Sequence, residues 1–265
     1  MKLKKRKNCF LLKIGYFWYK KEVDFLYVFA YNNIKKSVFR NWFLVDNERA
    51  CVFYTCKPLD LWRVCMLRGM VFIDHMNFDI ALQKYYKSLN KPTIKLDYNK
   101  LFRNVCAQIS NVDFLKGFIF VPKPDEFLMK DKYLENYYNW VTGMKNAPYT
   151  DVIEGRYVAR PVDENIPMEI DNKSTYYKVE KGTDINLAAH AISKAFYNSY
   201  DIAFFLSADT DYIKVYEVLK SIGKITVVVG VKGQNINSIR PMVDNVLILN
   251  EEFFDNCKRD VVVRR

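Results

Sequence analysis

From residue 70 onward, short apolar runs alternate with stretches in which apolar residues recur three and four positions apart. The runs at 70–73, 117–121 (GFIFV), 202–206 (IAFFL) and 225–231 (ITVVVGV) read as buried strands, because they are apolar on both of the faces a strand presents. Segments 78–89, 99–110 and 129–144 read as helices. Segment 151–160 carries a weaker strand and 161–175 a polar loop. The strongest helical periodicity runs through Ile185, Ala188, Ile192, Ala195 and Phe196, opened by the turn Glu180-Lys-Gly-Thr-Asp184. A further helix is expected over 212–222, stopped by Gly223, then a short helix at 237–243, a short strand at 246–249 and a terminal helix from Glu251. Nearly all-apolar strands alternating with helices predict an α/β fold whose mostly parallel sheet is covered on both faces.

The first quarter of the chain differs. The whole protein carries a net charge of +11, but residues 1–69 hold 15 Lys and Arg against 5 Asp and Glu, leaving 26 against 25 in the rest. The basicity belongs to this segment, which is also crowded with aromatics such as Phe17, Trp18, Tyr27, Tyr31, Trp42, Phe53 and Trp62. Two domains are therefore expected: a basic, aromatic-rich extension over 1–69 and a catalytic-type α/β domain over 70–265. Three readings of the extension stay open: a stacking platform for single-stranded nucleic acid, a small strand-rich or poorly ordered appendage, or an over-extended reading frame with the start at Met66 or Met70. The basic opening is like the head of a secretion signal, but Lys13 interrupts the apolar stretch and no small-residue cleavage site follows. No apolar run approaches the roughly 18 residues of a membrane span. The six cysteines form no C-x-x-C pair. Reduced thiols in a cytoplasmic protein are the simplest expectation.

Candidate chemistry lies at the carboxyl ends of the strands, where a parallel sheet receives ligands. Asp74 follows the first strand, Asp209 and Asp211 follow IAFFL, and Asp184 opens the strongest helix. An Asp after a strand is most often a helix cap or turn former. Four at one rim, without matching bases, would repel each other and hold raised pKa values unless a cation neutralised them. Mg²⁺ or Mn²⁺ suits such oxygen donors.

The segments Phe72-Ile-Asp74-His-Met-Asn77, Glu180-Lys-Gly-Thr-Asp184-Ile-Asn-Leu-Ala-Ala-His190 and Ser207-Ala-Asp209-Thr-Asp211-Tyr resemble, in order and spacing, the three signatures of NYN-domain proteins, which are PIN-like ribonucleases. The resemblance covers about residues 70–250. It implies a PIN-like, Rossmannoid three-layer fold and metal-dependent hydrolysis of RNA phosphodiesters, with one or two ions neutralising charge on the scissile phosphate. Asp74, Asp184, Asp209 and Asp211 would be the catalytic, metal-binding acids. Asn77 and Ser207 would support the first and third motifs, Lys181 would contact phosphate, and His190 would bind metal or phosphate or sit on a helix surface. RNA is the implied partner, with a homo-oligomer or a protein partner also open. His75 departs from the pattern, standing where many members carry Gly. Two rival readings are a non-catalytic module of the same fold that binds RNA or protein, and a haloacid-dehalogenase-type phosphatase. The latter needs a second Asp that Asp74-His-Met-Asn77 lacks.

Overall fold

The computed structural model describes residues 42–46, 50–54 and 66–260, and its contacts divide the chain into two units, Met1–Cys65 and Met66–Arg265. In the first unit β1 (Trp42–Asp46) and β2 (Ala50–Tyr54) pair antiparallel, with Trp42 opposite Tyr54 and Asp46 opposite Ala50. Most of the extension, with the Phe17, Trp18, Tyr27, Tyr31 and Trp62 positions of the expected stacking platform, lies outside the described residues.

The second unit is built on one seven-stranded sheet. Its strands are β3 (Leu67–Asp74), β4 (Val112–Pro124), β5 (Thr150–Pro161), β6 (Tyr176–Lys181), β7 (Ile202–Leu206), β8 (Ile225–Val231) and β9 (Asn245–Leu249). They lie in the order β6-β5-β4-β3-β7-β8-β9. Every neighbouring pair is parallel except β5 with β6. The chain adds β4, β5 and β6 on one side of β3 and then returns to place β7 on the other, so the strand order reverses at β3. In open α/β sheets a crevice for ligands forms at such a reversal, outside the carboxyl ends of the strands.

Helices cover both faces. Along β3 the side chains alternate: Val71 and Ile73 join one core, Met70 and Phe72 the other. The first core is completed by α1 (His75–Ser88), α2 (Tyr98–Ala107) and α6 (Glu251–Asp255), the second by α4 (Thr183–Phe196) and α5 (Ile213–Ser221). A smaller core under α3 (Lys132–Thr142) gathers Leu128, Leu134, Ala159 and Tyr176. The three-layer α/β architecture with its mostly parallel sheet is the one that the strand and helix pattern predicts. Register turns the sequence into an aromatic ladder: Phe72 pairs with Phe118 on β4 and Phe205 on β7, and its ring stacks at 5.3 Å and 5.5 Å from theirs.

The differences from the sequence reading fall where propensity is weak. β3 begins at Leu67, ahead of the expected residue 70, because Leu67 and Arg68 are ladder partners of Val112 and Asp113. β6 follows the expected polar loop, which ends at 175, and takes the first two residues of the turn expected to open the next helix. It is an edge strand with polar residues that pairs only with β5, so it carries no buried apolar run to announce it. The helix expected to open in the turn Glu180–Asp184 starts within it, at Thr183, after Gly182 adopts φ +81°, a conformation that L side chains rarely adopt. Over 237–243 only a 3₁₀ turn, Arg240–Met242, forms; Pro241 supplies no backbone donor there.

His75 is the first residue of α1 and is fully buried. Its Nδ1 meets the Tyr137 hydroxyl at 2.5 Å, its Nε2 meets the Tyr98 hydroxyl at 2.8 Å, and Trp140 packs edge-on against the ring. Burial holds the imidazole well down, to about 3, so it is neutral. The residue that departs from the family pattern thus anchors α1 to α2 and α3.

Two outcomes are expected. Phe72→Ala removes the middle ring of the ladder and should cost about 3–5 kcal/mol in urea unfolding of the purified chain. For His75, the unfolded imidazole takes a proton near its ordinary pKa of 6.5 while the folded one resists until about 3. The unfolded state therefore binds more protons across that window, and stability falls as pH drops through it. His75→Gln should flatten this part of the urea midpoint-against-pH curve.

Candidate metal centre at the carboxyl edge of the sheet

Asp74 ends β3 at the strand-order reversal and is only 6% exposed. It acts as the helix cap that its position suggests, since its Oδ1 accepts the Asn77 N–H of α1 at 3.1 Å. Its other oxygen is not consumed by the cap. Oδ2 lies 3.4 Å from the hydroxyl of buried Tyr212, which donates to Asp184 Oδ1 at 2.5 Å. One hydroxyl thus spans two of the expected acids and keeps those oxygens within about 6 Å of each other.

The electrostatics of Asp74 are those of an unneutralised carboxylate. Burial is the main force pushing its pKa up to about 7; the Asn77 N–H opposes it, and the charges of Glu180, Asp184 and Asp209 add to it. Glu180 is itself raised, first by burial and then by Asp184, against a lowering hydrogen bond from Thr183. None of the ion pairs among the described residues involves Asp74, Glu180, Asp184, Asp209 or Asp211. The cluster is acidic without an internal countercharge.

The turn after β7 supplies the third acid. Buried Ser207 accepts the Asp209 N–H on its Oγ at 3.2 Å, and Asp209 Oδ1 accepts the Asp211 N–H at 3.0 Å, capping the 3₁₀ turn Thr210–Tyr212. Asn77 ties this turn to β3, its Oδ1 accepting the Ala208 N–H at 3.2 Å and lying 3.4 Å from Gln234 Nε2. Gln234 is fixed in turn by the Val231 N–H at the end of β8, which donates to its Oε1 at 2.7 Å. Four adjacent segments, from β3 to the loop after β8, are therefore stitched together around the acids.

Asp74, Asp184 and Asp209 are thus close enough to act on one another, with Asn77 and Ser207 holding the segments that carry them. Asp211 is exposed on the same turn and is not among the charges that reach Asp74. Lys181 ends β6 opposite Arg156, beside Glu180. His190 lies more than a turn along α4, where its ring packs on Phe118 and Phe120; burial, and then the Lys194 charge, push its imidazole below the usual range against the pull of Asp151. Sequence reasoning missed Glu180, Tyr212 and Gln234. Tyr212 directly follows Asp211, but nothing in the sequence aims its hydroxyl at Asp74 and Asp184.

Mg²⁺ or Mn²⁺ fits the donor chemistry: hard carboxylate oxygens, one of them buried and lacking a countercharge. Among the described residues no three His, Cys, Asp or Glu side chains are gathered as a metal-holding group. Mg²⁺ does not require that, since it is usually held by one or two carboxylates and keeps several waters.

Among the described residues, no helix is long and apolar enough to cross a membrane. A protein of unknown function from Vibrio parahaemolyticus RIMD 2210633, VPA0982, has a crystal structure that is similar with a TM-score of 0.42 at 15% identity, over 71% of this chain and 96% of that one. The crystal structure of Sa239 is similar with a TM-score of 0.30 at 11% identity, over 72% and 68%. No curated protein matches the chain. The NYN domain family matches residues 68–249, a span that runs from the start of β3 to the end of β9 and includes each of the acids above. The chain belongs to the NYN-domain family, whose fold is nuclease-like.

Proposed function

We propose that the chain is a metal-dependent ribonuclease that hydrolyses RNA phosphodiester bonds at the rim formed by Asp74, Asp184 and Asp209, with Asp211 on the same turn. The observation that carries this reading is the Asp74 carboxylate, raised first by burial and further by its acidic neighbours, and left without a countercharge. Stability alone gives no reason to collect such charges at a strand-order reversal; a cation and a phosphate do. Asp74, with Asp184 or Asp209, would hold Mg²⁺ or Mn²⁺, which when bound supplies charge neutralisation at the scissile phosphate and a more acidic water.

The chain's own residues do the positioning. Tyr212 fixes the Asp184 carboxylate through its hydroxyl and is itself locked by burial. Ser207 and Asn77 hold the Asp209 turn against the end of β3, so the acids are set before any ligand arrives. Such preorganisation avoids paying for reorientation in the transition state. A second reading, an RNA- or protein-binding module without cleavage, is favoured by the absence, among the described residues, of a gathered three-ligand group.

Incubating purified chain with single-stranded RNA, with Mg²⁺ or Mn²⁺ and with chelator, separates the two. Cleavage only with the metal is expected; intact RNA in every condition would favour the binding module. Asp209→Asn keeps the acceptor that caps the turn but removes a charge, so it should lower metal-dependent cleavage at least about 10²-fold with an unchanged circular dichroism spectrum. Asp74→Asn gives a check independent of activity. A carboxyl whose pKa rises from 3.8 unfolded to about 7 folded costs stability as pH climbs through that interval, fully so above it. In chelator at pH 8 the variant should therefore be more stable than the wild type, by on the order of 4 kcal/mol, with the gap closing towards pH 4.

A further inference from the structure

Beside the acidic rim, three basic side chains stand in one row across three strands. Register places Lys123 of β4 opposite Arg156 of β5, and Arg156 opposite Lys181 of β6. Ladder partners share a face of the sheet, and all three residues line one cavity of 570 Å³ with Glu154, Gly155, Gly182 and Asn186. Like charges directly opposite each other destabilise a sheet. Among the described residues none of the three has a carboxylate within ion-pair distance. The one acid in the lining, Glu154, is taken by Lys145 at 2.5 Å, which holds its pKa below the usual range.

The start of α4 packs closely on β5. Gly155 presses against the start of α4, where a Cβ would lie 2.2 Å from Thr183 Oγ1 and 2.8 Å from its backbone nitrogen. No side chain caps α4, and its N-cap Gly182 and first-turn Asn186 line the cavity, so that turn presents backbone N–H groups there. A cationic row without carboxylate partners beside an uncapped helix start fits a phosphate group.

We infer that Lys123, Arg156, Lys181 and the start of α4 form a phosphate-binding subsite that seats an RNA phosphate next to the acidic rim. This rests on the reading of the chain as an RNA-acting protein. Lys181 follows Glu180 directly and Gly182 lies two residues before Asp184, so a strand seated here would lead its neighbouring phosphate to the acids. The phosphate is internal to the strand or is its 5′ end; the chemistry is shared.

The test is binding of a short 3′-labelled single-stranded RNA to the full chain in chelator, with 5′-phosphorylated and 5′-hydroxyl versions, measured by fluorescence polarisation across a salt series. The variant is Lys123→Gln with Arg156→Gln, and circular dichroism checks its fold. Removing two phosphate contacts should weaken binding about tenfold and make the log–log salt slope shallower by about 1.4. Contacts elsewhere add to both proteins alike and leave that difference readable. Weakening confined to the 5′-phosphorylated RNA assigns the subsite to a terminal phosphate; equal weakening of both assigns it to an internal one. Unchanged affinity and slope for both RNAs overturn the subsite. If the double variant fails to fold, each single variant is read in its place, with about half the slope change expected. Metal-dependent cleavage of RNA by a wild type whose binding ignores these residues would sink the subsite and leave the ribonuclease reading standing. RNA binding that responds to them, in a chain that cleaves nothing, would do the reverse.

Discussion

The parallel pairing of β3 with β4 on one side and β7 on the other is the constraint on which the rest of the domain depends. Phe72 pairs at once with Phe118 and Phe205, and Ile73 with Ile119 and Leu206. That double register sets the two cores, because a one-residue slip would turn Val71 and Ile73 away from α1 and α2 and drive Met70 and Phe72 into their place. It also sets the rim: with Ile73 level with Leu206, Asp74 emerges beside Ser207, and the turn bearing Asp209 follows.

The rim is held by polar contacts that the sheet makes unavoidable. Asn77 serves the α1 start through its backbone and the β7 turn through its side chain, and Gln234 extends that network to β8. Buried Tyr212 places its hydroxyl between Asp74 and Asp184. These contacts fix where the carboxylates sit but bring no positive charge to them, so the burial and the acidic neighbours that raise Asp74 are left for a ligand to offset. On the far side of Glu180 the charge reverses sign, and the row of Lys123, Arg156 and Lys181 meets the same edge. An acidic rim flanked by a basic row suits a substrate whose own charge is spread along a backbone.

The two histidines show how little residue type says about role. His75 lies next to Asp74 in sequence yet is turned into the helical layer and held neutral between two tyrosines. His190 shares α4 with Asp184 but packs against the sheet, over Phe118 and Phe120 of β4. Helical rise separates residues six apart by about 9 Å along the axis, which is enough to move a side chain off the rim.

The amino-acid sequence by itself determined the class of fold, since runs such as 117–121 and 202–206 are apolar on both faces and only a covered parallel sheet buries them. It also determined that Asp74, Asp184 and Asp209 would come near one edge, because each follows a strand or opens a helix. Tertiary structure decided what no local pattern encodes. β6 forms on the edge that β5 offers, and only its Tyr176 reaches a core, so no apolar run marks it. Glu180 joined the acids through that strand, Tyr212 and Gln234 through contacts with residues distant in the chain, and the basic row through register across three strands. Local periodicity reports which residues must be buried. Which polar groups then face each other depends on strand order and register, and those are properties of the whole sheet.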